Sequence, residues 1–357
     1  MDMRSKSSRP TVGVEKIHES SSSSWQLGPF VRANGSQPLL TPNRQAVFLD
    51  PVTGKETPWA FSHVFNPAAI AWNDNLYVLF RAEDDTGNGI GTYTSRIGLA
   101  QSSDGARFTV LPQPVFYPQP GRYQEPEWPG GCEDPRIVQA GDGTFYMTYT
   151  MWNQKLWQMG VATSTDLRHW QRHGPAFSPT LRSKSGSIIT CRIGDKITAA
   201  RINGLYYMYW HNGRELSLAT SVDLLHWVPA LDTDGQLRVA LPRLSQNHFS
   251  EPGPPALLTE HGIVLLYNGF CDDHLVPGAN APACRYSARQ ALFAADDPGQ
   301  LLACTEQPFF GPQEPWEVTG QYGAGTTFVE GLAWFRNRWY LFYGAADTYV
   351  GLALANG

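Results

Sequence analysis

The chain has 357 residues, 42% of them hydrophobic and 17% charged, with a formal net charge of −5. This is the composition of a globular chain with a substantial core, not a disordered one, and its acidic balance excludes the basic footprint of a nucleic-acid binder. No apolar run approaches the roughly 18–20 residues that span a bilayer, so no membrane partner is expected.

In chain order, residues 1–24 carry "MDMRSKSSRP" and a serine run without an apolar h-region. They read as a flexible leader with no signal peptide, which gives a cytoplasmic expectation. Residues 25–357 then read as a single domain. The cysteines, Cys132, Cys191, Cys271, Cys284 and Cys304, are odd in number and form no CxxC pair, so neither a disulfide framework nor a zinc site is indicated.

Five aromatic-rich runs resemble one another: "LYVLFR" 76–81, "FYMTYT" 145–150, "YYMYWH" 206–211, "IVLLYN" 263–268 and "WYLFYG" 339–344. Each follows another apolar run, at 66–72, 133–139, 195–201, 251–258 and 329–335. "NDN", "GDG" and "ING" are the clearest linkers between the two, and they hold the residues that tight hairpins demand. A third run follows at 97–102, 159–164, 216–221, 290–295 and 350–355, twice leading into "DLxHW". Repeats of three or four strands in constant order predict an all-β chain folded as a five-bladed β-propeller. A two-sheet sandwich does not explain the order within each copy.

In a propeller the first strand of every blade lines the central channel. The predicted first strands start with Asn66, with Glu133 and Asp134 in "CEDPR", with Glu251, and with Glu330 in the fifth copy. Carboxylates from three blades are therefore expected to face one cavity, with Arg136 beside them. Crowded carboxylates push at least one pKa upward, and carboxyl pairs are the machinery of glycoside cleavage. The bland alternative is that these acids cap turns or meet surface arginines. Arg81, Glu83 and Asp84 in "RAEDD", and Asp347 in "GAAD", could bind sugar hydroxyls bidentately or could be inter-blade ion pairs. Trp128, Trp152 and Trp157 could stack on sugar rings or fill gaps between blades. His169 and His173, four apart, suggest a metal pair only on a helix, and His169 matches His226 in the repeated "DLxHW", which favours a structural role. "GNGIG" precedes strand, not helix, so phosphate cradling is not expected. No metal or other cofactor is expected, because side chains fill the acid and base roles.

"NPAAI", "YVLFRAED", "TSRIGLAQSSDG", "PGGCEDPRIV", "KSGSI", "EPGPPAL", "LLYNG" and "YGAADTYVGLA" resemble glycoside hydrolase family 130 from about residue 36 to the C-terminus. The resemblance implies a five-bladed propeller acting on β-mannosides with inversion, and it makes Asp134 the general acid. It also implies a mannose-containing oligosaccharide as partner. Phosphorylases of the family hold phosphate with a basic cluster that includes a Tyr-His-Gly histidine. Here Asn268 stands in "YNG", no arginine follows "YMYW", and Glu330 occupies a run that is usually apolar. These departures point to hydrolysis of β-1,2-linked mannosides. Glu251 and Glu330 share the task of activating water, unranked. Asn66, Arg81, Glu83, Asp84, Arg96, Glu133, Arg136, Trp152, Asn153, Lys184, Asn268 and Asp347 are candidate sugar contacts. A mannoside phosphorylase making mannose 1-phosphate and a non-catalytic glycan-binding propeller are the rival readings.

Overall fold

The structure is a computed structural model, and it describes residues 25–33, 35, 37–178, 180–242, 249–270 and 285–357. The expected leader, residues 1–24, and two of the cysteines, Cys271 and Cys284, lie outside the described residues. The described chain is almost entirely β, with one helical turn at Gln124–Glu127 and a 3₁₀ turn at Pro315–Glu317. No helix of the described residues is long and apolar enough to cross a membrane.

The strands fall into successive antiparallel meanders. His63–Trp72, Asn75–Glu83 and Ser95–Ser102 make the first. Gly131–Gln139, Phe145–Trp152 and Trp157–Ser164 make the second. Lys184–Ile188, Leu205–His211 and Leu216–Ser221 make the third. Phe249–Pro252 and Leu257–Thr259 both pair with Gly262–Phe270, which pairs with Tyr286–Phe293 to make the fourth. Thr327–Phe335, Arg338–Ala345 and Tyr349–Asn356 make the fifth, and the short strand Val31–Arg32 near the other end of the chain adds to its outer edge.

The hairpin turns obey local chemistry. Asn73 and Asp74 have φ of 47° and 57°, and Arg336 and Asn337 have φ of 49° and 61°. Positive φ at both central residues is the two-residue turn whose twist matches that of the flanking strands. In "DLxHW", Asp166 Oδ1 accepts from the backbone N–H groups of Arg168 and His169, both at 2.8 Å, and Asp223 does the same for Leu225 and His226. His173 Nε2 lies 2.8 Å from Thr163 Oγ1, so His169 and His173 belong to turn and strand chemistry.

Two expected strands differ. The first strand of the third meander is Lys184–Ile188, not 195–201. "IGDK" forms a hairpin of its own, with Gly194 at φ 61° and Ile193 opposite Lys196, so Lys196–Ala199 pairs with Thr190–Ile193 instead. The run 251–258 is split because Pro254 and Pro255 have no N–H to give to a ladder.

Each sheet buries both faces, which is why runs such as "LYVLF" are nearly continuous in apolar residues. Phe80 and Val78 pack with Phe342 and Leu352 of the fifth meander, while Leu79 and Leu99 pack with Met147 and Tyr149 of the second. Met159 and Val161 meet Met208 and Trp210, Tyr209 and Leu218 meet Leu265 and Phe293, and Leu266 and Val264 meet Leu341 and Tyr343. Polar contacts follow the same sequence. Thr148 Oγ1 donates to Gly186 O at 2.9 Å and Ser187 Oγ to Pro254 O at 2.7 Å. Asn268 Nδ2 donates to Val329 O at 2.9 Å. A Cβ placed on Gly331 would stand 2.7 Å from Pro67 O, so the first strands of the fifth and first meanders run backbone against backbone.

Candidate active site

The first strands deliver their functional side chains through irregularities of one kind. The pairing register shifts between Phe65 and Pro67, between Glu133 and Arg136, between Lys184 and Ser187, and between Val329 and Gly331. Asn66, Asp134, Ser185 and Glu330 stand at these bulges. The first three have φ of 46°, 48° and 59°. Asn and Asp tolerate the left-handed region better than other side chains, and a bulge re-aims a side chain out of the ladder. Gly131 permits the approach that precedes Glu133: its φ is 104°, and any Cβ there would collide with the Ser95 backbone.

These strands enclose a cleft lined by Asn66, Arg81, Glu133, Asp134, Lys184, Glu251 and Asp347, with the apolar walls Phe65, Trp152, Trp157, Tyr286 and Phe328. Asp134 Oδ1 accepts from Asn66 Nδ2 at 3.0 Å and from Arg81 Nη1 at 3.2 Å. Arg81 is shared further, its Nη2 standing 2.6 Å from Glu83 Oε1 and 2.7 Å from Glu133 Oε1. Glu251 is held by Lys184 Nζ at 2.8 Å and by the Ser185 hydroxyl at 2.7 Å.

The charges are unequal to one another. Burial raises the Glu133 carboxyl to about 8, because Arg81 is divided among several acids and Asp134 and Glu83 add repulsion. Burial likewise lifts Asp347 to about 7, with Arg81 opposing and Asp134 and Glu83 adding to the rise. Burial also opposes ionisation of Glu251, but the charges of Lys184 and His211 and the hydrogen bonds from Lys184 and Ser185 outweigh it and hold the group at about 2. The cleft thus combines a fixed anion with carboxyl groups that keep protons near neutrality.

Several expected contacts lie elsewhere. Glu83 is fully buried beneath Arg81, with its second oxygen 2.7 Å from His63 Nδ1. Asp84 and Arg96 form a buried ion triad with Asp50, at 2.9 and 2.6 Å from the guanidinium, which binds the first meander to the hairpin of strands Asn43–Asp50 and Lys55–Ala60. Asn153 caps its own turn by accepting from Lys155 N and Leu156 N, and it lines a separate depression with Trp128. Asn268 is fully buried, and both ends of its amide are bonded to the Val329 backbone. Arg136 and Glu330 are also fully enclosed and do not line the cleft. Sequence reasoning singled out Lys184 in "KSGSI" but missed its neighbour Ser185, and it missed Phe65, Thr150, Tyr286 and Phe328. Phe65 and Phe328 stand one and two residues before bulge positions, which is the signal that could have found them.

The family model for glycoside hydrolase family 130, described as β-1,4-mannooligosaccharide phosphorylase, matches residues 44–356. A 1,2-β-oligomannan phosphorylase of Thermoanaerobacter sp. (strain X514) is 29% identical over 310 residues, covering 84% of this chain and 92% of that protein. A solved glycosyl hydrolase from Bacteroides ovatus is 42% identical with a TM-score of 0.88, covering 93% of this chain and 95% of the other. Another structure, also 42% identical, with a TM-score of 0.87 and the same coverage, is described by the statement that this family of mannoside phosphorylases contains glycoside hydrolases that target β-1,2 mannosidic linkages in Candida mannan. With the match extending over nearly the whole chain, this protein belongs to glycoside hydrolase family 130.

Proposed function

We propose that residues 25–357 form one five-bladed β-propeller that releases mannose from β-mannosides, with β-1,2-linked manno-oligosaccharides as substrates, by inverting hydrolysis. The cyclic order of the contacts between meanders supports the propeller reading. Asp134, fixed by Asn66 and Arg81, donates the proton to the leaving oxygen. Glu251, an anion throughout the working range, orients and deprotonates water. Asn66, Arg81, Lys184 and Asp347 supply polar contacts to the sugar, and Trp152 and Trp157 supply apolar faces.

One observation carries the choice of water. Among the described residues the cations lining the cleft are Arg81 and Lys184, and each is already held by an ionised partner, Arg81 by Glu83 at 2.6 Å and Lys184 by Glu251 at 2.8 Å. A phosphate dianion would have to displace those partners in a cleft that also holds the Glu251 anion. A charge pair about 4 Å apart opposes binding by roughly 4 kcal/mol at an effective dielectric near 20.

Phosphorolysis is the second reading. The names of the matched curated relatives and of the family model favour it over the hydrolysis that the sequence led us to expect. Incubation with β-1,2- and β-1,4-mannobiose, each with and without phosphate, separates the two. Hydrolysis gives mannose at a rate indifferent to phosphate. Accumulation of mannose 1-phosphate, with turnover accelerated by millimolar phosphate, would replace it with phosphorolysis.

A further inference from the structure

Arg136 sits behind the cleft with its side chain 1% exposed. Its Nε donates to Gly253 O and its Nη2 to Pro252 O, both at 2.8 Å, and its Nη1 lies 3.4 Å from Asp134 O. Pro252 and Gly253 directly follow Glu251, and Asp134 is two residues before Arg136 itself. One planar guanidinium therefore ties the backbone carrying the acid to the backbone carrying the anion that faces it. Glu330 approaches the same guanidinium, its Oε2 3.5 Å from Nη2, and neither of its oxygens has a hydrogen-bond partner among the described residues. Its neighbour Val329 is clamped on both backbone atoms by Asn268.

We infer that Arg136 is a positioning residue that sets the separation between the Asp134 and Glu251 carboxyl groups, with Glu330 as an enclosed neighbour of its guanidinium and not as a second base. Three points support this. The donors of Arg136 are spent on main-chain carbonyls, so it has little to offer a sugar. The planar fork matches two adjacent carbonyls in a way that a lysine ammonium cannot. Burial pushes the Glu330 carboxyl well above its ordinary value despite Arg136, with Asp134 and Glu251 adding to the rise, which is the wrong direction for a group that must be ionised to take a proton from water.

The inference rests on Asp134 and Glu251 acting together on a β-mannoside. Wild-type turnover of mannobiose, run alongside, tests that reading separately. The variants are Arg136→Met, Arg136→Lys and Glu330→Gln, compared by kcat, KM and thermal midpoint. A displacement of about 1 Å in a catalytic pair can cost about 10²-fold. Arg136→Met should lose at least about that factor in kcat with KM within threefold, and Arg136→Lys should recover only part of it. Glu330→Gln, nearly isosteric, should keep kcat within about tenfold, because proton abstraction is worth about 10²–10⁴. A folded Arg136→Met enzyme with unchanged kcat, or one whose loss lies wholly in KM, overturns the positioning role. A Glu330→Gln loss near 10³-fold that added azide restores makes Glu330 the base and overturns the assignment even where Arg136→Met does not fold.

Discussion

At the scale of single residues, the backbone decides which substitutions are informative. Asp134 occupies the left-handed region, with φ 48°, and Asn accepts that conformation nearly as well as Asp does. Asp134→Asn should therefore keep the bulge and its bond from Asn66 while removing the transferable proton. A loss of at least about 10³-fold on mannobiose is expected, with a smaller loss on an aryl mannoside whose leaving group needs little protonation. Activity within tenfold of wild type on mannobiose would take Asp134 out of the mechanism. Lys184→Met tests Glu251 through its ionisation. Lys184 is the largest of the influences that depress this carboxyl. Its removal should move the acid limb of the kcat/KM profile up by about 1–3 units, the usual effect of an opposite charge at contact. A limb that stays in place would mean that Glu251 is not the titrating group.

At the scale of strands and turns, the bulges are the devices that turn a sheet edge into a site, and glycines let neighbouring elements close on them. A Cβ on Gly253 would stand 2.8 Å from Leu266 O and 2.9 Å from Val329 O, both rigid backbone atoms. Gly253→Ala should cost about 1–3 kcal/mol in denaturant unfolding, and it should lower kcat as well, because the Gly253 carbonyl is one of the Arg136 anchors. An alanine variant with unchanged midpoint and turnover would show that this strand end yields freely. The hairpins were legible in the sequence because their turn residues and apolar runs are local signals, and Asn73–Asp74 and Arg336–Asn337 adopt the backbone that those signals demand. Asn66, Asp134, Glu251 and Asp347 were legible as strand-start or strand-end polar residues, Lys184 only through the "KSGSI" of the family resemblance, and the cleft gathers them. What sequence could not give was depth. Asn268, Arg136 and Glu330 have the same polar character as the cleft residues, but their side chains are enclosed in the packed interior, where contacts with other strands decide their use. The third meander was misread for a related reason: "IGDK" is a sound hairpin, but it pairs with strands of the fourth meander's sheet.

At the scale of the whole molecule, gathering so many acids at one place makes stability depend on pH in an unusual direction. Glu133 and Asp347 have folded values near 8 and 7, above the ordinary 4.5 and 3.8. Between those limits the native state binds more protons than the unfolded chain, so stability falls as pH rises through the window from about 4 to 8. Glu251 works in the opposite sense: held at about 2 against an ordinary 4.5, it adds stability above 4.5 that is lost as pH falls toward 2. Glu83 is likewise depressed, with burial opposed by Arg81 and His63, and it adds to the same acid limb. Taken by themselves, these cleft groups favour the folded state most on the acid side of neutrality. The thermal midpoint should therefore drop by several degrees between pH 5 and pH 8, and also below pH 4. Glu133→Gln removes one of the raised carboxyl groups from the alkaline limb while preserving its shape and its contact with Ser95. That variant should flatten the decline above pH 5 and leave the acid limb in place. A wild-type midpoint that rises from pH 5 to pH 8 would mean that the cleft carboxyl groups are ionised in the folded protein, with Arg81 and Lys184 neutralising far more charge than their shared contacts indicate.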